Sequence, residues 1–339
     1  MESSKFDIQA RIGYIDFLKF IGLTGIIIAH VGSPSWAMML RSFDVPLMVV
    51  LSSILGEKSF HKYENSGIFS ARHYFVSRIK RLVIPTWILL IIYFGISFLR
   101  GESFRGVKYY IASFCMTRYG IGYVWIILIY LYSALLIPIF SKIKLSMKGI
   151  IGVTAIYILY EAAYYFQIGV DNKLINSTFY YVIPYGLLTY LGYNYTRMKN
   201  KAKFIIVIVF TAVFVSLGIY YWHSLGAPQL VQIAKYPPRL YYLGYGIAWS
   251  FALLLICEKH YLKIYDNPII RYISMHSMWI YLWHILVLDL YSALSLPEIW
   301  YIKLVIVYLA SMIIVYLVNK VLDLVECTGK IGILKYFRG

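Results

Sequence analysis

R-I-G-Y-I-D-F-L-K-F-I-G-L-T-G-I-I-I-A-H (residues 11–30) is an apolar run of helical length that contains three ionisable side chains, Asp16, Lys19 and His30. About 20 helical residues cross a bilayer, so the run is long enough to span one. It does not read as a cleaved signal, because it is too long, carries Asp16 and Lys19, and is followed by no A-x-A site. A charge at the bilayer centre costs at least about 2.5–3.5 kcal/mol, which marks such residues as paired or functional.

The whole chain shares this character. Of 339 residues, 61% are hydrophobic and 14% charged, and the mean hydropathy is +0.70. Ordinary soluble domains carry roughly 25% charged residues, and a single soluble core stops growing beyond roughly 250–300 residues. A soluble globular enzyme, a disordered chain and a secreted disulfide scaffold are therefore excluded. The apolar runs are continuous rather than alternating, which argues against a strand barrel. The expected fold is all-α, a polytopic membrane helix bundle of about ten transmembrane helices. The spans are placed at 12–31, 43–57, 82–99, 121–140, 148–166, 178–196, 204–223, 239–257, 272–292 and 300–322. Residues 107–116 are apolar but short and are expected at the interface. The longest polar gap, 58–81, is too short to fold alone, so residues 1–339 read as one membrane domain. There is no P-loop and no strong internal repeat.

Net charge is +17, from 32 Lys and Arg against 15 Asp and Glu. The basic residues fall mostly in short gaps between apolar runs, so the charge is first a topology signal rather than a nucleic-acid footprint. With the N-terminus in the cytoplasm, 21 Lys and Arg lie in inner segments, 8 lie in outer ones and 3 lie within helices. Both termini are then cytoplasmic, with the protein a multi-pass one in the cytoplasmic (inner) membrane. Anionic lipids or phosphorylated ligands are a second use for the charge. Cys115, Cys257 and Cys327 show no paired spacing, and His61, His73, His223, His260 and His276 have no helix-spaced ligand partners. Neither a disulfide framework nor a metal site is expected.

Each candidate side chain has two readings. Asp16 and Lys19 share a helical face, as a structural ion pair or as part of a site. His30 lies three turns beyond Lys19 on the same face, roughly 16 Å along the axis. It is either a hydrogen-bonded interfacial histidine or a general base working near pH 7. Asp44 either orients His30 or caps the helix that follows, which Pro46 in the first turn suits. Arg78 and Arg81 converge at a helix end, as topology anchors or as a grip on phosphate. His284 and Asp289 lie about 140° apart on a helix, so they do not act together, and His284 is expected to be buried and hydrogen-bonded. The 35 tyrosines and 8 tryptophans read mostly as belt and core; Tyr180, Tyr181, Tyr185, Tyr241, Tyr242 and Tyr245, near helix ends, are assigned to the belt, with a sugar-stacking groove as the alternative.

The order of these elements resembles the acyltransferase family 3 integral membrane proteins. Asp16-x-x-Lys19 followed by Lys19-x10-His30 is similar to that family's first-helix motif. F-D-V-P-L-M-V-V-L-S-S (43–53) resembles its second helix, with Met48 and Val49 in place of aromatics and Ser53 in place of glycine. R-I-K-R-L-V-I-P-T-W (78–87), Y-V-W-I-I-L-I-Y (123–130) and H-S-M-W-I-Y-L-W-H (276–284) resemble three later elements. The resemblance implies an enzyme that moves an acyl group, commonly acetyl from cytoplasmic acetyl-CoA, to a hydroxyl of a cell-surface glycan or its lipid-linked precursor. It implies His30 as catalytic base and Arg78, Arg81 and Lys19 as donor-binding residues; Asp44 joins His30 as a catalytic candidate on the imidazole-orienting reading above. No metal is implied. The partners would be acyl-CoA, the glycan acceptor and membrane lipids, without nucleic acid; a homo-oligomer is compatible with the sequence. The rival reading is a transporter or flippase for lipid-linked sugars.

Overall fold

The computed structural model describes residues 13–64, 70–143, 145–260 and 262–326. Lys5, Arg11, Lys144, Cys327, Lys330, Lys335 and Arg338, used above in the charge and cysteine arguments, lie outside the described residues.

Fourteen α-helices follow one another: α1 (Gly13–Ile28), α2 (Ser35–Leu40), α3 (Asp44–Glu64), α4 (Ser70–Leu99), α5 (Val107–Phe114), α6 (Trp125–Lys142), α7 (Met147–Tyr165), α8 (Lys173–Ser177), α9 (Phe179–Asn194), α10 (Asn200–Leu225), α11 (Leu240–Lys259), α12 (Pro268–Met275), α13 (Ser277–Ala293) and α14 (Trp300–Glu326). Among the described residues there is no strand. Helix ends follow their local chemistry. Gly226, at φ +73°, closes α10 in the left-handed conformation. Asn267 opens α12 by accepting the Ile269 N–H at 2.8 Å, with Pro268 at the first helical position.

All ten apolar stretches are helical, but they are not ten equal spans. Among the described residues, six segments are long and apolar enough to cross a membrane alone: 35–62, 72–99, 125–142, 200–225, 240–259 and 300–325. The expected span 272–292 is instead two helices, α12 and α13, bent by 78° at His276. Nothing in the apolar pattern marks that break; it is accommodated by tertiary contacts, because Lys19 Nζ donates to the Ser274 carbonyl at 2.5 Å, at the end of α12. Helices α1 and α9 have only 16 residues each and pack inside the bundle. Conversely, α10 is a peripheral helix: Phe204, Ile205, Ile208, Val209 and Val215 face outward, as a lipid-facing helix requires, while Phe210 and Phe214 pack inward.

Helix α3 is the centre. It packs against α1, α4, α6, α9 and α11, which is achieved through small residues at the crossings. A Cβ on Gly192 of α9 would stand 2.7 Å from the Val50 carbonyl oxygen, and one on Gly246 of α11 would stand 2.4 Å from the Pro46 ring. Serines and threonines in the core return their hydroxyls to their own helix, as Ser53 does to the Val49 carbonyl at 2.7 Å. The six tyrosines assigned to an interfacial belt are buried, none more than 6% exposed. Their position near helix ends is not a position at the bundle surface, because α9 and α11 are inner helices.

Gly192→Ala should cost about 1–3 kcal/mol through overpacking, whereas Gly152→Ala on α7, where a Cβ meets nothing within 4 Å, should be neutral or slightly stabilising. Thermal unfolding of the two variants in detergent reads the difference.

Candidate active site

His30 lies in the turn just beyond α1, its N–H bonded to the Ile27 carbonyl at 2.9 Å. The turn delivers its ring to α13, where His284 is wholly buried. His30 Nδ1 and His284 Nε2 are 2.9 Å apart, with the two rings only 14° from parallel. His284 Nδ1 in turn faces the Tyr281 carbonyl oxygen one turn back on α13.

These contacts determine the protons. A carbonyl oxygen only accepts, so the neutral His284 carries its proton on Nδ1 and offers a lone pair at Nε2. His30 must then donate from Nδ1, which leaves His30 Nε2 as a free lone pair. The chain Tyr281 carbonyl, His284, His30 thus prepares one basic nitrogen, as the carboxylate of a hydrolase triad does, but without a charge. The Tyr123 ring closes against the imidazole edge-on, 4.9 Å between centroids, and the Tyr281 hydroxyl donates to the Tyr123 carbonyl. His284 is indeed buried and hydrogen-bonded, but its partner is His30, 254 residues away. No spacing rule in the chain could have paired them.

Among the described residues, Asp44 makes no hydrogen bond or ion pair with His30. It opens α3, accepts the Val45 N–H at 2.6 Å, and gives its other oxygen to Arg41, in a buried ion pair. Its place in the first helical turn is the electrostatically favoured one. The contacts of Asp44 are thus local, to Arg41 and to its own neighbour Val45. Asp289 is likewise separate from His284. It accepts from the Tyr93 hydroxyl at 3.2 Å and pairs with Arg100 at 2.7 Å.

Asp16 and Lys19 both reach Ser274: the Ser274 hydroxyl donates to Asp16 Oδ1 at 2.6 Å, while Lys19 holds the Ser274 carbonyl. Lys19 also borders a cavity of about 340 Å³ between α1, α3, α4, α6 and α13. Arg78 and Arg81 of α4 line the same cavity, and its wall includes Tyr130 and Tyr281. Arg78 stacks on the buried Tyr74 ring at 5.1 Å. Among the described residues, no carboxylate is within ion-pair reach of Arg78 or Arg81. Two like charges on one helix face, turned to a cavity without a carboxylate, make a place for an anion. Tyr281, the residue whose carbonyl faces His284, is part of the cavity wall.

The family model described as an acyltransferase domain, that of acyltransferase family 3, matches residues 12–320. The chain belongs to this family. It is a membrane acyltransferase, and the matched stretch takes in every side chain of the arrangement above. No curated protein and no solved structure matches the chain.

In ¹⁵N solid-state spectra of histidine-labelled protein, His30 and His284 should both appear as neutral Nδ1–H imidazoles, the minor tautomer in water. In His284→Phe, His30 should lose that fixed tautomer while the other histidine signals stay in place.

Proposed function

We propose that this acyltransferase moves an acetyl group from cytoplasmic acetyl-CoA to a hydroxyl of a cell-surface glycan or of its lipid-linked precursor. The observation that carries the reading is one cavity lined by three basic residues, Lys19, Arg78 and Arg81, and also by Tyr281, which is one hydrogen-bond relay away from His30. In this reading the protein sits in the cytoplasmic membrane with the Arg78 end inward, as the Lys and Arg distribution favours, and with His30 outward.

Acetyl-CoA suits such a cavity chemically. Its phosphates match planar guanidinium groups, which bind them two-pronged, and its pantetheine arm is long and thin enough to run between helices. Arg78 and Arg81 hold the phosphates and Lys19 adds charge along the way. The thioester then reaches the His30 end, where the acceptor arrives from outside. His30 Nε2 takes the hydroxyl proton as the oxygen attacks the thioester carbonyl, and returns it to the departing thiolate. His284 is a positioning residue, since it acts through His30. Direct transfer from donor to acceptor requires no covalent enzyme intermediate.

Incubation of purified protein with radiolabelled acetyl-CoA and a hydroxylated glycan tests the reading. Label should pass to the glycan, and His30→Ala should lower the rate by about 10²–10⁴-fold with acetyl-CoA binding intact; transfer at the wild-type rate would remove the base assignment. Arg78→Lys or Arg81→Lys should weaken acetyl-CoA binding although charge is kept, because lysine lacks the planar fork. Unchanged donor affinity in both would reduce the arginines to topology anchors.

A further inference from the structure

Among the described residues four cations are buried: Arg41, Lys203, Lys235 and Lys303. Three have a carboxylate. Arg41 pairs with Asp44, Lys203 with Glu258 at 2.9 Å, and Lys303 with Glu298 at 2.6 Å. Lys235 is 4% exposed, and among the described residues its ammonium has neither an ion pair nor a hydrogen-bond acceptor. Its closest partners are aromatic faces: Tyr236 at 5.3 Å, Trp125 at 5.7 Å and Tyr242 at 6.0 Å. Rings hold a cation without neutralising it, and an unpaired buried charge is among the most expensive groups a protein keeps.

The loop that carries Lys235 is held tightly on the His30 end of the bundle. Gln232 donates to the Ser42 hydroxyl at 2.6 Å, beside Arg41. Tyr160 donates to the Pro238 carbonyl at 2.7 Å, and Glu161 takes both Arg239 Nε at 2.6 Å and the Leu240 N–H at 2.9 Å. Trp125, against Lys235, follows two residues after Tyr123, which lies against His30. Lys235 is within electrostatic range of His30 itself.

We propose that Lys235 is a second catalytic residue of the His30 site, its ammonium stabilising the oxyanion of the acyl-transfer intermediate. The inference rests on the acyl-transfer reading with His30 as base. As the acceptor oxygen bonds to the thioester carbon, the carbonyl π pair moves onto oxygen, and that oxygen is met by the Lys235 ammonium. His30 holds the acceptor's proton meanwhile. Collapse reforms the carbonyl, breaks the C–S bond and expels the thiolate, which takes the proton from His30. A pre-placed charge in a dry site is worth far more than the same charge in water, and the unpaired state of Lys235 leaves it free for this use.

The groups that face Lys235 are Asp44 and Arg41 from the turn into α3, His30 from the end of α1, Trp125 from α6, Tyr242 from α11 and its neighbour Tyr236. Burial pushes the ammonium down to about 8, with Asp44 opposing the shift and Arg41 adding to it. The charge is thus present below pH 8 and lost above it.

The experiment is steady-state transfer from labelled acetyl-CoA by wild type, His30→Ala, Lys235→Met and Lys235→Arg, with acetyl-CoA affinity measured alongside. A wild type that transfers no label, or a fully active His30→Ala, overturns the acyl-transfer reading and this inference with it. With that reading intact, Lys235→Met should lower kcat by about 10²–10³-fold at unchanged acetyl-CoA affinity. Wild-type kcat should fall as pH rises through about 8, and Lys235→Arg, which stays charged, should retain activity and lose that alkaline fall. If Lys235→Met fails to fold, the wild-type and Lys235→Arg pH profiles decide. A kcat in Lys235→Met within about threefold of wild type, a loss confined to the acceptor KM, or an alkaline fall unchanged in Lys235→Arg would overturn the assignment.

Discussion

The contact between His30 and His284 joins the end of α1 to the middle of α13, two elements 254 residues apart, through a single 2.9 Å hydrogen bond. His284 is wholly buried and cannot rely on water, so both of its ring nitrogens need protein partners. The Tyr281 carbonyl settles the chain of protons from one side, and the free nitrogen appears at the other. Much of the site is arranged around this relay. Tyr123 closes the edge of the imidazole, and Lys19 and Asp16 hold Ser274 next to the angle between α12 and α13.

A second constraint is charge. The bundle admits ionisable groups only under specific terms, and those terms sort them by role. Arg41 with Asp44, Lys203 with Glu258 and Arg239 with Glu161 are internally balanced and hold helices and loops in place. Arg78 and Arg81 are instead turned to a cavity that offers them no carboxylate, and Lys235 is enclosed by rings. Balanced pairs do structural work; unbalanced cations at a cavity or beside His30 invite an anionic partner. The distinction rests on what lies across from each side chain, which residue type alone does not reveal.

Much of the architecture was legible in the chain. Composition and run length identify an all-helical membrane protein, because helices alone satisfy every backbone group within continuous apolar runs. Lys19-x10-His30, with the later elements in order, identified the family, and the family model spans residues 12–320. Two readings needed revision. The span at 272–292 is broken, and the tyrosines near helix ends are core residues. Both depend on what the fold packs around each helix, and hydropathy cannot separate a helix packed in protein from one packed in lipid.

The sequence by itself thus determined the class of fold, the family and the residues able to do chemistry, since these follow from composition, run length and local spacing. Only the tertiary structure decided who meets whom: His30 with His284, Lys19 with Ser274, the two arginines with one cavity, and Lys235 with aromatic rings instead of a carboxylate. The physical reason is that hydrogen bonds, ion pairs and cation–ring contacts act over a few ångströms between elements far apart in the chain. Helical periodicity specifies which side of a helix a residue occupies, but not what the fold packs against that side.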